Sequence, residues 1–242
     1  MSHRILTLNE VVDYLHLPER DILHLVKRHE IPHRQQGPEV VFPRQEIDAW
    51  ASTRLLGMED KEIQAFHRSS TARVHDLSER HALLPEMMQA NYILPELEGK
   101  TPPKVVRNMV DLADSTGMVW DKEGLLSGVE SREELFSTAM TCGAALLHPP
   151  HHEPYMFEDS FIALGRSLTP IYFGAPGGAT TEFFFLICSQ EDRIHLHLLA
   201  RISMLCRETT ILENLHTAES AGEMYDLLLA AEEEMIHRHS PV

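Results

Sequence analysis

Five of the sixteen histidines stand where chemistry is conceivable: His148, His151, His152, His195 and His197. Imidazoles serve as metal ligands when several converge with a carboxylate or thiolate on one ion. A single ring at a strand end, open to a partner protein, can instead accept a phosphoryl group, because a neutral ring nitrogen exists near pH 7. Spacing bears on the choice. His195 and His197 lie two apart on a predicted helix, about 200° around its axis, so they cannot both face one ion without distortion. His151 and His152 sit between Pro149-Pro150 and Glu153-Pro154, an exposed-loop composition in which surface histidines are ordinary. A metal site built from His148, His151 and His152 stays open as an alternative. The three cysteines, Cys142, Cys188 and Cys206, are too few and scattered for a disulfide framework or a zinc knuckle.

Holding such a ring in place requires a scaffold, and the composition supplies one. The chain has 242 residues, 43% of them hydrophobic and 24% charged, which at about 150 residues per domain means one large or two small domains. A net charge of −16 excludes a general polyanion binder. No apolar run approaches the ~18 residues of a membrane span, and the N-terminus lacks a basic-then-apolar leader pattern. A soluble, cytoplasmic protein is expected. The charge is uneven, however: residues 1–55 hold seven basic and eight acidic side chains, the remainder fourteen and twenty-nine. The near-neutral part is where a nucleic acid could be tolerated; the acidic part would repel it.

The near-neutral part reads as small helices and a hairpin. Thr7-Leu8-Asn9-Glu10 has the form of a capping box, followed by Val11, Val12 and Leu15 on one helical face. Pro18 suits the first turn of a second helix, whose Ile22, Leu23, Leu25 and Val26 form the buried side. After Ile31-Pro32, a turn at Gln36-Gly37-Pro38 leads into Val40-Val41-Phe42, a hairpin or wing. A last helix runs from Arg44 to about Leu55, with Ile47 and Trp50 for the core. Together, Leu8–Tyr14, Pro18–Val26, Ile31-Pro32, Phe42-Pro43-Arg44, Ile47 and Trp50 resemble the excisionase/MerR-type winged helix-turn-helix module. The resemblance implies that the second helix enters the major groove of DNA. Arg20, His24, Lys27 and Arg28 would then face bases or phosphate, with Arg34 and Arg44 on phosphates. Glu19, Asp21 and Glu30 share that region, so a protein-contact module with a mixed-charge helix is the other reading. So few cations give modest affinity by counterion release, and operator binding is expected to need a homodimer.

Met58 to Met88 has helical composition with sparse apolar residues, which predicts one or two exposed helices acting as a linker or dimer contact. From about Met87 helices and strands alternate. Val105, Val106, Met109, Leu112 and Ala113 make one helix face, and Asp121–Leu135 another helix weakened by Gly124 and Gly128. Ala144–Leu147, Phe161–Leu164 and Phe183–Cys188 are apolar runs bounded by turn residues, hence buried strands. Ile194–Cys206 carries a stripe of Leu196, Leu199, Ile202 and Leu205. Ser220 with Glu223 opens a final helix through about His237. Alternation of this kind implies a layered α/β domain.

Arg132-Glu133-x-Leu135-x-Ser137-Thr138 followed by Gly143-Ala144-Ala145-Leu146-x-His148 resembles the phosphorylation-site segment of the fructose/mannitol/nitrogen-class EIIA domains of the bacterial phosphotransferase system. Thr169-Pro170-Ile171, Phe183–Ile187, His195-Leu196-His197-x-Leu199 and Glu219–Leu227 extend the likeness over roughly Met87 to Glu232. It implies a mixed β-sheet flanked by helices, needing no cofactor and no metal. It also implies His148 as phosphoryl acceptor, steadied by His195, with Arg132 offsetting phosphate charge and Ser137 and Thr138 donating hydroxyl hydrogen bonds. A buried histidine bonded to a carbonyl is the other reading of His195, and a cation at a helix C-terminus that of Arg132. Phe136, Ala139 and Thr141 replace glycines usual in that family, and Leu147 its proline.

The expected organisation is a winged helix-turn-helix over residues 1–56, a helical linker or dimer contact over 57–86 and an EIIA-like domain over 87–234. The expected function is a cytoplasmic regulator in which the EIIA-like domain, phosphorylatable or degenerate at His148, tunes the DNA-binding module. A carrier of the HPr type would be its donor partner. The alternative is a phosphocarrier that passes a phosphoryl group from that donor to a sugar transporter.

Overall fold

The computed structural model describes residues 5–71, 82–150, 155–190 and 192–239. Its N-terminal module follows from its caps. The Glu10 amide donates to the Thr7 hydroxyl at 3.4 Å and the Thr7 amide to the Glu10 carboxylate at 2.8 Å, starting α1 (Leu8–Leu15), which a left-handed His16 ends. Pro18 stands just before α2 (Glu19–Lys27) rather than inside its first turn. β1 (Ile5–Leu6), β2 (Arg34–Gln36) and β3 (Glu39–Pro43) form an antiparallel sheet in the order β1-β3-β2. Gly37, at φ +62°, makes the tip of the wing, and α3 (Arg44–Gly57) closes the module. Ile22, Phe42, Ile47 and Leu55 fill its core, each contributing about 1.5–3 kcal/mol by burial.

The next helix corrects an expectation. α4 (Asp60–Thr71) is not an exposed spacer: Ile63 is fully buried, His67 and Ser70 are buried, and the helix lies along α8 (Asp192–Glu208). Its few apolar residues sufficed because polar side chains on the same face find partners inside the protein.

The remaining chain builds a four-stranded mixed sheet, in the order β4-β6-β7-β5, from β4 (Ile93–Leu94), β5 (Ala144–Leu147), β6 (Phe161–Ile171) and β7 (Thr181–Cys188). β5 runs parallel to β7, and β6 antiparallel to it. The short edge strand β4 escapes sequence reading because two residues show no period. Alternation divides the sheet into two faces. Ala145, Leu147, Phe184 and Leu186 pack against α6 (Pro102–Ser115) and α7 (Lys122–Leu135). Ala144, Leu146, Phe183 and Phe185 pack on the side of α8 and α10 (Ala221–His239), with Leu84 of the short α5 (Leu84–Met87) and Ile211 of α9 (Ile211–Thr217) in the same apolar cluster, which runs on into Val11, Ile22 and Ile47 of the N-terminal module. The two parts thus share one core. Among the described residues no helix is long and apolar enough to cross a membrane.

Candidate functional site

The site is built at the end of β5. Since Ala144 and Leu146 face α8, alternation turns His148 the same way, and α8 offers His195 to meet it. The two rings lie 4.8 Å apart between centroids. His148 Nδ1 is 2.8 Å from the Leu146 carbonyl, and Arg132 Nε donates to His148 Nε2 at 3.2 Å. A guanidinium has no acceptor, so Nε2 must present its lone pair and Nδ1 must carry the proton, donated to Leu146. This neutral tautomer makes Nε2 the nucleophilic atom.

Arg132, in the last turn of α7, is fully buried. Besides His148 it donates from Nη1 to the Phe136 carbonyl and from Nη2 to the Ser52 hydroxyl, both at 2.7 Å. These acceptors are all neutral. Burial lowers its pKa, opposed by the nearby charges of Glu133 and Asp48. Gly128, one turn earlier on α7, leaves room for Pro149 and Pro150: a Cβ there would lie 3.2 Å from Pro149 Cβ. The proline pair after His148 therefore packs against the same helix that supplies the arginine.

Ser137 and Thr138 have other partners. Ser137 Oγ donates to the Phe173 carbonyl at 2.5 Å, and Thr138 donates through its hydroxyl (2.5 Å) and its amide (3.1 Å) to the Glu133 carboxylate. Burial raises the Glu133 pKa, while the Thr138 bonds oppose that rise. Both residues shape the loop leading into β5, and neither hydroxyl is directed at the imidazole pair. The expectation of an acceptor ring open at the lip of the sheet is corrected. His148, His195 and Arg132 are each 0% exposed, because α3 of the N-terminal module lies over them.

Two α3 side chains one turn apart make that cover. Ser52 accepts from Arg132, and Asp48 brings a carboxylate oxygen to within 4.8 Å of a ring nitrogen of both His148 and His195. Asp48, only 2% exposed, accepts a hydrogen bond from the Tyr14 hydroxyl of α1. The residues that close the site were invisible to a reading by motif. The available signal was the small residues Ala49, Ala51 and Ser52 beside Ile47 and Leu55, all of which the structure buries; a helix without a polar outer face is covered on more than one side. Asp48, His148 and His195 are also near enough to share a metal ion. A cation bound through His148 Nε2 would have to displace the Arg132 guanidinium that donates to it. His151 and His152, needed for the metal alternative, lie outside the described residues.

α8 carries a second buried cluster on its other side. His197 stacks on His67 of α4 at 4.3 Å, and its Nδ1 is 3.1 Å from Ser70 Oγ. Arg201 donates from Nε to His67 Nε2 at 3.1 Å and pairs through Nη1 with Glu232 at 3.4 Å. Glu232 in turn accepts the amides of Leu83 and Leu84. Burial, with Arg201 and His16 adding to it, lowers the His197 pKa to about 3. The helical argument from spacing holds: the two histidines of α8 face different neighbours.

Of the candidate DNA-contacting residues, Arg20, His24 and Lys27 on α2, Arg28 at its C-cap and Arg34 on β2 are exposed, and Arg44 is half-buried at the start of α3. Arg20 pairs with Asp21 at 3.2 Å, Arg28 with Glu30 and Arg34 with Glu46 at 2.7 Å. Exposed pairs of this kind hold by only about 0–1 kcal/mol, so a phosphate can displace them.

The family model described as phosphoenolpyruvate-dependent sugar phosphotransferase system, EIIA 2, matches residues 86–231, and that of a helix-turn-helix domain matches residues 5–55. A fructose-specific EIIABC component of the phosphotransferase system from Bacillus subtilis is 26% identical over 147 residues, covering 60% of this chain but only 23% of that protein. A nitrogen regulatory protein of Escherichia coli is 27% identical over 169 residues, covering 66% of this chain and 84% of that one. The crystal structure of the nitrogen regulatory protein IIA-Ntr from Neisseria meningitidis superposes with a TM-score of 0.54 at 22% identity, covering 61% of this chain and 99% of that one. That last likeness establishes the fold of the C-terminal part.

Proposed function

The chain belongs to the EIIA 2 family of the sugar phosphotransferase system through residues 86–231, and from that premise we propose that phosphorylation of His148 tunes DNA binding by the helix-turn-helix module. A phosphorylated HPr-type carrier supplies the group, Arg132 and His195 hold it, and Ser137 and Thr138 fix the loop beneath. Arg20, His24, Lys27, Arg28, Arg34 and Arg44 meet the DNA. One observation carries the reading: Arg132, which donates to His148, also donates to Ser52 of the module at 2.7 Å. A phosphohistidine adds roughly −1.5 to −2 of charge by analogy with other phosphorylated side chains, and a guanidinium bonded only to neutral oxygens and an imidazole is free to neutralise it. The change is thereby felt at a residue of the DNA-binding module. Couplings of this sort are typically ~1–3 kcal/mol, below the ~5.5 kcal/mol of a complete two-way switch, so graded tuning is expected.

Incubation of the full chain with a phosphorylated HPr-type carrier should add one phosphoryl group to the native protein and none to His148→Ala, read by intact mass. Equal labelling of both rejects His148. A specific, salt-sensitive DNA footprint is the companion result; its absence at every salt concentration points to a phosphocarrier serving a sugar transporter.

A further inference from the structure

We infer that α3 is an internal lid on the phosphoacceptor site, with the Asp48 carboxylate occupying the region a phosphoryl group on His148 would need, so that phosphorylation and docking of the module exclude one another. The inference rests on the assignment of His148 as acceptor.

Three observations carry it. First, access: His148, His195 and Arg132 are each 0% exposed. A donor must align its own phosphoimidazole with Nε2, and no atom of a second protein reaches a ring covered by α3. Second, charge: Asp48 brings an oxygen within 4.8 Å of one ring nitrogen of His148 and one of His195, and its charge helps sustain the pKa of the buried guanidinium. It thus stands toward Arg132 as a phosphoryl dianion would, and the two anions cannot share the pocket without mutual repulsion. Third, attachment: Ser52 ties the same helix to Arg132 at 2.7 Å, and the Tyr14 hydroxyl holds Asp48 from α1. The lid therefore moves with the whole module. α2 is exposed while the lid is closed, so release changes how the DNA-contacting helix is held, not whether it is accessible.

The transfer step closes in atoms and charge. The N–P bond of the donor's phosphohistidine breaks, the Nε2 lone pair of His148 forms the new N–P bond, and the donor ring, protonated at its other nitrogen, keeps the bonding electron pair and departs as a neutral imidazole. His148 retains its Nδ1 proton on the Leu146 carbonyl. Arg132 turns from Nε2 and Ser52 to the phosphoryl oxygens.

The test compares initial rates of labelling by a phosphorylated HPr-type carrier in the native full chain, Asp48→Ala and Asp48→Asn, with His148→Ala as blank. Hydrogen exchange of the α3 amides is followed before and after phosphorylation of the native chain, which needs no variant to fold. Asp48→Ala is expected to label at least about tenfold faster, within the 5–150-fold typical of coupled sites, with Asp48→Asn between, and phosphorylation to speed exchange of α3 by a similar factor. Equal labelling rates with α3 exchange unchanged overturn the lid and leave His148 standing as acceptor. No label on any of these proteins removes the acceptor assignment and the lid with it.

Discussion

α8 separates two buried clusters of nearly the same construction. On one side His195 meets His148, and Arg132 Nε donates to His148 Nε2 at 3.2 Å. On the other His197 meets His67, and Arg201 Nε donates to His67 Nε2 at 3.1 Å. Each cluster takes a serine from a helix N-terminal to the sheet domain, Ser52 in the first and Ser70 in the second. They differ in where the charge goes. Arg201 pairs with Glu232, itself held by two amides, so the charge of the second cluster is balanced within it. Arg132 donates to an imidazole, a hydroxyl and a carbonyl; of the two anions near it, Glu133 on its own helix is bonded by Thr138, and Asp48 belongs to a helix of another module. A balanced cluster fastens a fold; one completed by a separable element is suited to change.

Breaking the balanced cluster should cost most. Arg201→Met leaves Glu232 buried without its cation, and removal of one partner of a buried pair costs about 3–5 kcal/mol, measurable as a lower midpoint in urea; a loss below 1 kcal/mol would show that the pair is not a fastener. Acid should sharpen the comparison next. His197 titrates near 6.5 when unfolded and about 3 when folded, so between those values the unfolded chain binds the proton and the folded one does not. Stability should therefore fall as pH drops below 6.5, by up to about 1.4 kcal/mol per unit, and His197→Gln should flatten that slope. Arg132→Met strands three neutral acceptors, while the carboxylates near it, Asp48 and Glu133, keep their hydrogen bonds from Tyr14 and Thr138, so its expected cost is about 1–3 kcal/mol, less than that of Arg201→Met in the same denaturation series. An equal or larger loss would erase the distinction. Smallest is Ser52→Ala, about 1 kcal/mol for the bond from Arg132, the hydroxyl's own donation being to carbonyls of its own helix, seen as faster exchange of α3 with the sheet domain unaffected.

Much of this architecture was legible locally. Thr7 with Glu10, and Ser220 with Glu223, announced their helices; the second box differs in detail, since Glu223 reaches the Glu219 amide at 2.8 Å instead of that of Ser220. The runs at Ala144, Phe161 and Phe183 became strands, although Phe161's extends to Ile171. The linker was misjudged for a definable reason. His67 and Ser70 count as polar in a periodicity argument, yet both are buried because Arg201 and His197 satisfy them. Ser137 and Thr138, which the resemblance implies as hydroxyl donors, do donate, to the Phe173 carbonyl and the Glu133 carboxylate.

Which residues share a face follows from local periods: strand alternation carries His148 to the side of Leu146, and the helical repeat parts His195 from His197. What those faces meet is settled by packing between distant elements. Ser52 and Arg132 are 80 positions apart, and no local period encodes which helix comes to rest over an imidazole; that is fixed by shared burial of two modules in one core. Hence the acceptor ring could be named from a segment, and its cover could not.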